Sequence, residues 1–563
     1  MNILLQYKSI NTIQDVLIGL RECPATFCTM CCKSGLEKKT FREFIARCDD
    51  YRSYFYGCGL PLRSIVLLVQ PQSVELMAGF IGSVLAGMIP AILAYPNIKF
   101  DAARYRESLR GVINNLKAKV LIMGEGVGEA ASVFDAKNGI ALYPCNVALN
   151  SERVVWHKAA PSEIAFIQHS AGTTGLQKGV AVSHRALLHQ IRNYAQSICM
   201  SGDDRIVSWL PLYHDMGLIT SFLMPLLTGI SVVCQDPGDW VMDPVSIMRH
   251  VTRFGSTLAW MPNFAFSLLA QRADNRDLSG LDLSSVRAFI NCSEPVTESA
   301  CSAFRKKYSQ CGLSAAAVQA CYAMAENTFA VTQTPFEDEL RPDYYSESAF
   351  RRDHRLVPAS EASSAVPLMA SGPAIVNNSI MIVDSQMRPC VDGAIGQIMI
   401  SSDSMLSGYY NRPDISRQAM HEGWYCTGDL GALVKSRLFV TGRKRDLIIA
   451  GGVNMYPQDI EALAEQCPEI YPGRCAAFGV FNERRGTEDI VFIAELRPEV
   501  GVASEEIAER IRRHAIQLLS VRISEIHLKR ERWLVKSTAG KVSRSATKMK
   551  YLEESVMAGK GSK

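Results

Sequence analysis

The chain has 563 residues, 48% hydrophobic and 21% charged, with 60 basic against 56 acidic side chains and a formal charge of +4. One hydrophobic core does not support that length, so at least two domains are expected. The even charge excludes a protein held mainly by nucleic acid, and the apolar content excludes a mostly disordered chain. Seventeen scattered cysteines, an odd count, predict thiols packed as small core hydrophobes in a reducing compartment, hence a cytoplasmic location.

The first twenty residues lack the charged-then-apolar order of a signal peptide, because Gln6, Lys8, Asn11 and Gln14 interrupt them. Cys28, Cys31 and Cys32 form the densest thiol group, but no second ligand pair follows at zinc spacing. Val74 to Tyr95 is long enough to span a membrane. It nevertheless contains Glu75, Gly79, Gly82, Gly87 and Pro90, and reads as a helix ending near Gly87 followed by a buried strand. No transmembrane segment is expected. A glycine-rich stretch from Gly124 to Gly128 has Glu129 where a dinucleotide loop needs its last glycine, and is expected to be a surface turn.

Apolar runs at Ile65–Val69, Val120–Met123, Ile164–Gln168, Arg205–Trp209, Ser231–Cys234 and Ala288–Asn291 alternate with helical patterns such as Leu187–Ala195 and Pro244–Phe254. That alternation predicts an α/β architecture with largely parallel sheets. After about residue 376, short runs at Ile380–Val383, Ile395–Ile400 and Leu438–Val440 predict a small β-rich subdomain. The charged turn Gly442-Arg443-Lys444-Arg445-Asp446 then leads into a compact α+β segment. The expected domains are therefore 1–441 and a small mobile unit, 442–563, with a hinge at the turn.

The strongest chemical signal is Ser170-Ala171-Gly172-Thr173-Thr174-Gly175-Leu176-Gln177-Lys178-Gly179, directly after an apolar run. Small residues let backbone N–H groups approach an anion, while hydroxyls and a lysine add donors. This is phosphate-loop chemistry without the Walker pattern, since Gln177 precedes Lys178 and Gly179 takes the hydroxyl position. Five further motifs follow in order. They are Trp209-Leu210-Pro211-Leu212-Tyr213-His214-Asp215-Met216-Gly217, Tyr322-Ala323-Met324-Ala325-Glu326, Trp424-Tyr425-Cys426-Thr427-Gly428-Asp429, Gly442 to Asp446, and Lys536-Ser537-Thr538-Ala539-Gly540-Lys541.

This series resembles the adenylate-forming superfamily of acyl-CoA synthetases, peptide-synthetase adenylation domains and luciferases, over residues 12–551. Within it, the wording Ser208 to Ile219, the stretch Tyr456-Pro457-Gln458-Asp459-Ile460-Glu461, and the long connection from Glu326 to Gly372 resemble the fatty acyl-AMP ligases. The extra stretch, roughly Phe336 to Pro367, is polar and is expected to be loop-like. In that family an insertion restrains the C-terminal domain and disfavours transfer to CoA.

The resemblance implies ATP and Mg²⁺ as cofactors, a fatty acid as substrate, and an acyl carrier protein as acceptor, with CoA as the alternative. It implies that Thr173, Thr174 and Lys178 hold phosphates and that Glu326 binds Mg²⁺. It further implies that Ser293, Glu294, Pro295 and Tyr322 wall the adenine, that Asp429 and Arg443 hold the ribose, and that His214 lies between phosphate site and acyl pocket. Lys541 is the implied catalyst, an ammonium between acyl carboxylate and α-phosphate, carried in by a swing about Arg445. Taken singly, Lys541 reads as a surface lysine, Asp429 as a turn residue, His214 as a core histidine and Glu326 as a helix-start carboxylate; their place in the series raises them.

The chain departs from the superfamily's usual Ser, Pro, Gly and Pro at Ala171, Gln177, Ala323 and Val535. Ala450-Gly451-Gly452-Val453-Asn454 resembles the glycine pair of acyl-CoA synthetases, which leaves the acceptor open. Arg510 to Lys550 holds twelve basic residues against two acidic ones, a face suited to an acidic carrier or to CoA phosphates, or simply a solvated one. Pro262 to Phe266 and Phe289 are candidate linings of the acyl pocket. A non-catalytic nucleotide- or acyl-binding relative is the alternative of another class, and the joint presence of Lys541, Glu326 and Asp429 argues against it.

Overall fold

The computed structural model describes residues 10–33, 35–96, 102–124, 127, 132, 134, 140–142, 147–148, 155–169, 178–274, 276–361, 365–450, 453–465, 467–483, 485, 487–498, 501–519, 521–530, 532–536 and 542–560. Five of the six apolar runs become strands of two parallel-type sheets, covered by amphipathic helices, whereas Ile164–Gln168 falls in the strand Ile164–His169, which pairs antiparallel with Gly179–Ser183. The larger sheet has seven strands, in the order Val318–Cys321, Ala288–Cys292, Leu258–Met261, Arg205–Ser208, Ser231–Gln235, Thr26–Cys32 and Gly35–Thr40. Its pairings are parallel except the last, in which Gly35–Thr40 returns antiparallel along Thr26–Cys32. A four-stranded sheet orders Ile89–Ile92, Ile65–Val69, Val120–Met123 and Ile140–Leu142, all parallel.

The helices start where the sequence offers caps. Ser183 accepts from the Ala186 N–H at 3.2 Å and opens His184–Ser197, whose Leu187, Leu188, Ile191, Tyr194 and Ala195 face the core. Ser73 caps Val74–Leu85, which is buried on nearly every side and ends before Gly87 in a left-handed conformation (φ +74°). The strand Ile89–Ile92 follows, so this stretch is core rather than a span. No helix among the described residues is long and apolar enough to cross a membrane.

A small antiparallel sheet follows: Asn378–Val383, Gly396–Ser402, Trp424–Val434 and Met420–His421, with Arg437–Arg443 on the other edge of Trp424–Val434. Arg437–Arg443 runs through Gly442, which pairs with Leu430. A separate apolar cluster begins at Ile448, built from helices Pro457–Glu465 and Ser504–Leu519 against the sheet Ile470–Asn482, Thr487–Leu496 and Glu525–Lys529.

Two expectations change. The 336–367 stretch is not simply a loop: strands Asp343–Ser346 and Ala365–Leu368 pair antiparallel, with the helix Glu347–Arg351 between them. Buried Tyr345, Phe350 and Leu356 pack with Phe439 and Tyr456, and these few apolar anchors suffice to order a polar segment. Gly124 is not a surface turn but buried, where a Cβ would lie 2.6 Å from Pro71; residues 125, 126 and 128 lie outside the described set.

Candidate active site

In the seven-stranded sheet the motifs sit at the carboxyl ends of neighbouring parallel strands. Tyr322 follows Val318–Cys321, Ser293 follows Ala288–Cys292, Asn263 follows Leu258–Met261, and Trp209 to His214 follow Arg205–Ser208. Open α/β sheets bind ligands along this edge, because loops there converge and helices begin there. Gly217 belongs to this rim: a Cβ at that position would lie 2.3 Å from the Pro211 carbonyl oxygen, so only glycine lets the turn close.

Segment Tyr322–Glu326 is cross-linked to strand Trp424–Val434 by two rungs. In the first, the Tyr322 hydroxyl donates to Asp429 Oδ2 at 2.6 Å, and Arg443 Nε lies 3.4 Å from Asp429 Oδ1. Asp429 is the register partner of Arg443, and Thr427 Oγ1 accepts from its N–H at 3.0 Å. Burial pushes the Asp429 carboxyl above the usual aspartate range, against the pull of Arg443 and Tyr322. Burial also raises the Tyr322 phenol, with Asp429 adding to the shift.

In the second rung the Tyr409 hydroxyl lies 2.8 Å from Glu326 Oε1 and 2.9 Å from the Tyr425 hydroxyl. The Lys178 ammonium stands 4.9 Å from the centroid of the Tyr409 ring. Two residues expected at a phosphate and a metal, Lys178 and Glu326, therefore meet at one tyrosine.

Glu326 lies on the short 3₁₀ turn Ala325–Asn327. The chain then turns through Thr328, a β-branched residue at φ +61°, where the Phe329 N–H donates to the Asn327 carbonyl at 2.6 Å. A three-residue turn of this kind is strained and persists only when its surroundings fix it. Gln168 supplies that fixing, donating from Nε2 to the carbonyls of Ala325 (2.7 Å) and Thr328 (3.1 Å), while Thr328 Oγ1 donates to the Ser404 carbonyl at 2.7 Å.

Ser293 has φ +67° and its hydroxyl lies 3.8 Å from Met216 Sδ, joining the 293 turn to the motif that holds His214. The Glu294 carboxylate has a structural role, since its Oε2 accepts the Phe264 N–H at 2.9 Å at the start of helix Asn263–Ala273. Pro295 is exposed. His214 precedes the short helix Asp215–Leu218, its ring 4.7 Å from that of Tyr213. Beyond it, Trp209 stacks on Trp240 with centroids 3.5 Å apart, and Phe264 meets both edge-on. Phe266 and Phe289 pack on Phe304 inside the core.

Thr173, Thr174 and Lys541 lie outside the described residues. Residues flanking the first two are the antiparallel strands Ile164–His169 and Gly179–Ser183. On either side of 537–541, Lys536 bridges Val542, and the Leu534 N–H donates to the buried Glu495 carboxylate at 2.8 Å. Arg544 grips Glu461 through two hydrogen bonds of 2.6 and 2.7 Å and reaches Asp446, the neighbour of Arg445, at 3.3 Å. Arg445 itself is half-exposed, its Nε 3.5 Å from Asp446 Oδ1.

Tyr409 and Gln168 escaped the sequence reading. Tyr409 stands on the two-residue strand Gly408–Tyr409, too short for periodicity, and Gln168 merely ended an apolar run. A surface groove of about 550 Å³, lined by Arg305, Lys306, Glu339, Arg341 and Tyr344 among others, holds none of the motif residues.

The chain is similar to known proteins. A family model described as "AMP-binding enzyme" matches residues 22–410. A medium-chain-fatty-acid–[acyl-carrier-protein] ligase of Teredinibacter turnerae is 29% identical, over 77% of this chain and 70% of that protein. A protein of the same description from Moorena producens is 28% identical over 86% and 85%. A probable long-chain-fatty-acid–AMP ligase of Mycobacterium tuberculosis is 27% identical over 92% of both chains. Among solved structures, one from studies of the fatty acyl-adenylate ligases of E. coli and L. pneumophila superposes with a TM-score of 0.89, at 26% identity, over 98% of this chain and 99% of that one. With a model of the family covering well over half its length, the chain belongs to the AMP-binding enzyme family.

Proposed function

We propose that this chain is a fatty acyl-AMP ligase. It joins a fatty acid to the α-phosphate of ATP, releases pyrophosphate, and passes the acyl group to the phosphopantetheine thiol of an acyl carrier protein. The observation that carries this reading is the pair of rungs between Tyr322–Glu326 and Trp424–Val434. They set a carboxylate for sugar hydroxyls on one side, and on the other a carboxylate and an ammonium for phosphates. The names of the relatives, fatty-acid ligases for carrier proteins or AMP, support the substrate class and the acceptor.

Tyr322 offers a ring face to adenine and Asp429 accepts from the ribose, with Arg443 beside it. Lys178 with Thr173 and Thr174 neutralises the phosphates; Ser293, Glu294 and Pro295 form the adenine wall, Glu294 through its backbone because its carboxylate caps a helix. Mg²⁺ fits Glu326, a hard oxygen donor. With one carboxylate from the chain, substrate phosphates and water would complete the ion's oxygen ligands. When bound, Mg²⁺ offsets phosphate charge. His214 orients the acyl carboxylate between the phosphates and the aromatic cluster of Trp209, Trp240 and Phe264.

Lys541 then stands between the two anions. A carboxylate oxygen forms the bond to the α-phosphorus, the bond to the bridging oxygen breaks, and pyrophosphate leaves with its electron pair. In the second step the carrier thiolate attacks the acyl carbonyl and AMP leaves. Residues 442–563 swing as a unit about Arg445 between the steps. The free thiols among the described cysteines suit a reducing compartment, the cytoplasm.

Incubation with ATP, Mg²⁺ and fatty acids of graded length, with carrier protein or CoA, tests the reading by mass spectrometry. Acyl-adenylate with pyrophosphate release, and acyl transfer favouring the carrier, is the expected result. Absence of pyrophosphate release with every fatty acid overturns it, and equal transfer to CoA overturns the acceptor.

A further inference from the structure

Glu326 projects from a single 3₁₀ turn, which cannot by itself fix a long side chain. Its carboxylate, when ionised, only accepts hydrogen bonds, so the Tyr409 hydroxyl 2.8 Å away must be the donor. That spends the one hydrogen of Tyr409. The 2.9 Å contact between the two phenols therefore runs from Tyr425 to Tyr409. The result is a directed chain, Tyr425 to Tyr409 to Glu326 Oε1.

Tyr409 is itself well anchored. It pairs with Val180 two residues after Lys178, its N–H donates to Ser416 Oγ at 2.8 Å, and nearby Leu406 donates its N–H to the Glu326 carbonyl at 2.8 Å. Its ring face takes the Lys178 ammonium at 4.9 Å. Tyr409 thus stands between a cation on its ring face and a carboxylate at its hydroxyl.

We propose that Tyr409 is the positioning residue of the phosphate–metal end of the site. It holds Lys178 at its ring face and Glu326 at its hydroxyl, and by occupying Glu326 Oε1 it presents Oε2 to the cation that accompanies ATP. The inference rests on the assignment of Mg²⁺ to Glu326.

The substitution Tyr409→Phe removes the hydroxyl and keeps the ring for Lys178. Calorimetric titration of the full-length protein with MgATP, and with ATP in EDTA, separates the two functions. Affinity for MgATP should fall about tenfold, the usual cost of losing a partner of a metal-binding carboxylate, while metal-free ATP binds within about twofold of wild type. Tyr425→Phe, which removes only the outer hydroxyl, should shift MgATP affinity in the same direction by less, and melting curves confirm that each variant is folded. Equal weakening of both titrations by Tyr409→Phe would show a merely structural role and overturn the proposal. So would unchanged MgATP affinity in Tyr409→Phe when Glu326→Gln has lost it, leaving the metal assignment intact. Wild-type MgATP affinity in Glu326→Gln overturns both.

Discussion

Asp429 is held where its charge is disfavoured. Burial raises its carboxyl pKa, and Arg443 and the Tyr322 hydroxyl only partly restore the ionised form. Ionised, the group offers both oxygens as strong acceptors to ribose hydroxyls; protonation turns one of them into a donor and weakens the other. As pH falls, Asp429 takes its proton before an ordinary aspartate of pKa about 3.9 would, so ATP affinity should begin to drop above that pH. Calorimetric titrations from about pH 7 downward should show this loss in the wild type and a flat, weak profile in Asp429→Asn. Identical profiles would remove Asp429 from the site. Lys541 makes a sharper demand. The anchors at Glu495 and Arg544 hold the chain on both sides of it, so truncating its side chain leaves the fold alone. Lys541→Ala should lower acyl-AMP formation at least about a hundredfold, the scale of losing a preorganised charge at the reacting centre, with ATP binding largely spared. Near-normal adenylation in a pyrophosphate-release assay would end that assignment.

We propose that the segment Asp343–Leu368 is a clasp on residues 442–563, the unit proposed to carry the catalytic lysine. Arg351 pairs with Asp459 at 3.1 Å, and Phe350 stacks on Tyr456 with centroids 5.3 Å apart and planes 24° from parallel. Tyr456 is 2% exposed, buried among Phe350, Tyr345 and Phe439. Asp459 is buried enough for its carboxyl pKa to rise, with Arg351 the main restraint on that rise. Arg351→Ala strands the carboxylate, and Tyr456→Ala removes the aromatic anchor at about 3 kcal/mol. Combined, they should free the C-terminal unit, raising acyl-CoA product and speeding proteolysis between Arg443 and Pro457; no change in either would refute the clasp. The sequence signalled this segment by length alone, because Tyr345, Phe350 and Leu356 are too widely spaced to show a period. The parallel strands were legible for the opposite reason, each an apolar run between turns, as in Ile65–Val69. Motif residues were legible as a set, but not their partners. Glu294 reads like Ser293 in the sequence, and only the helix beginning at Asn263 reveals that its carboxylate is already engaged.

Across the whole molecule the near-zero net charge conceals how protons are distributed. Part of the basic C-terminal stretch is neutralised within its own domain, Arg510 by Glu469, Arg512 by Glu505 and Glu509, and Arg544 by Glu461, leaving Arg513, Arg522, Arg530 and Arg532 exposed. Two histidines are held neutral at opposite ends of the hairpin that flanks the phosphate loop. Burial lowers both His169 and His184 from 6.5 to about 4. Their folded pKa values lie below the unfolded ones, so between 6.5 and about 4 the unfolded chain binds more protons and stability falls with pH. Each contributes up to about 1.4 kcal/mol per pH unit in that window. Asp429 and Asp459 have the opposite sign: their raised pKa values make the folded state the better proton acceptor as pH falls through them. Within the histidine window, from 6.5 down to about 4, these two groups lower stability as the pH falls. Urea midpoints for the wild type should decline from about pH 7 to pH 5. In His169→Gln/His184→Gln, whose amides keep a polar group at each position without titrating, the decline should be shallower by the two-histidine term. Parallel declines in both proteins would show that acid acts through other groups.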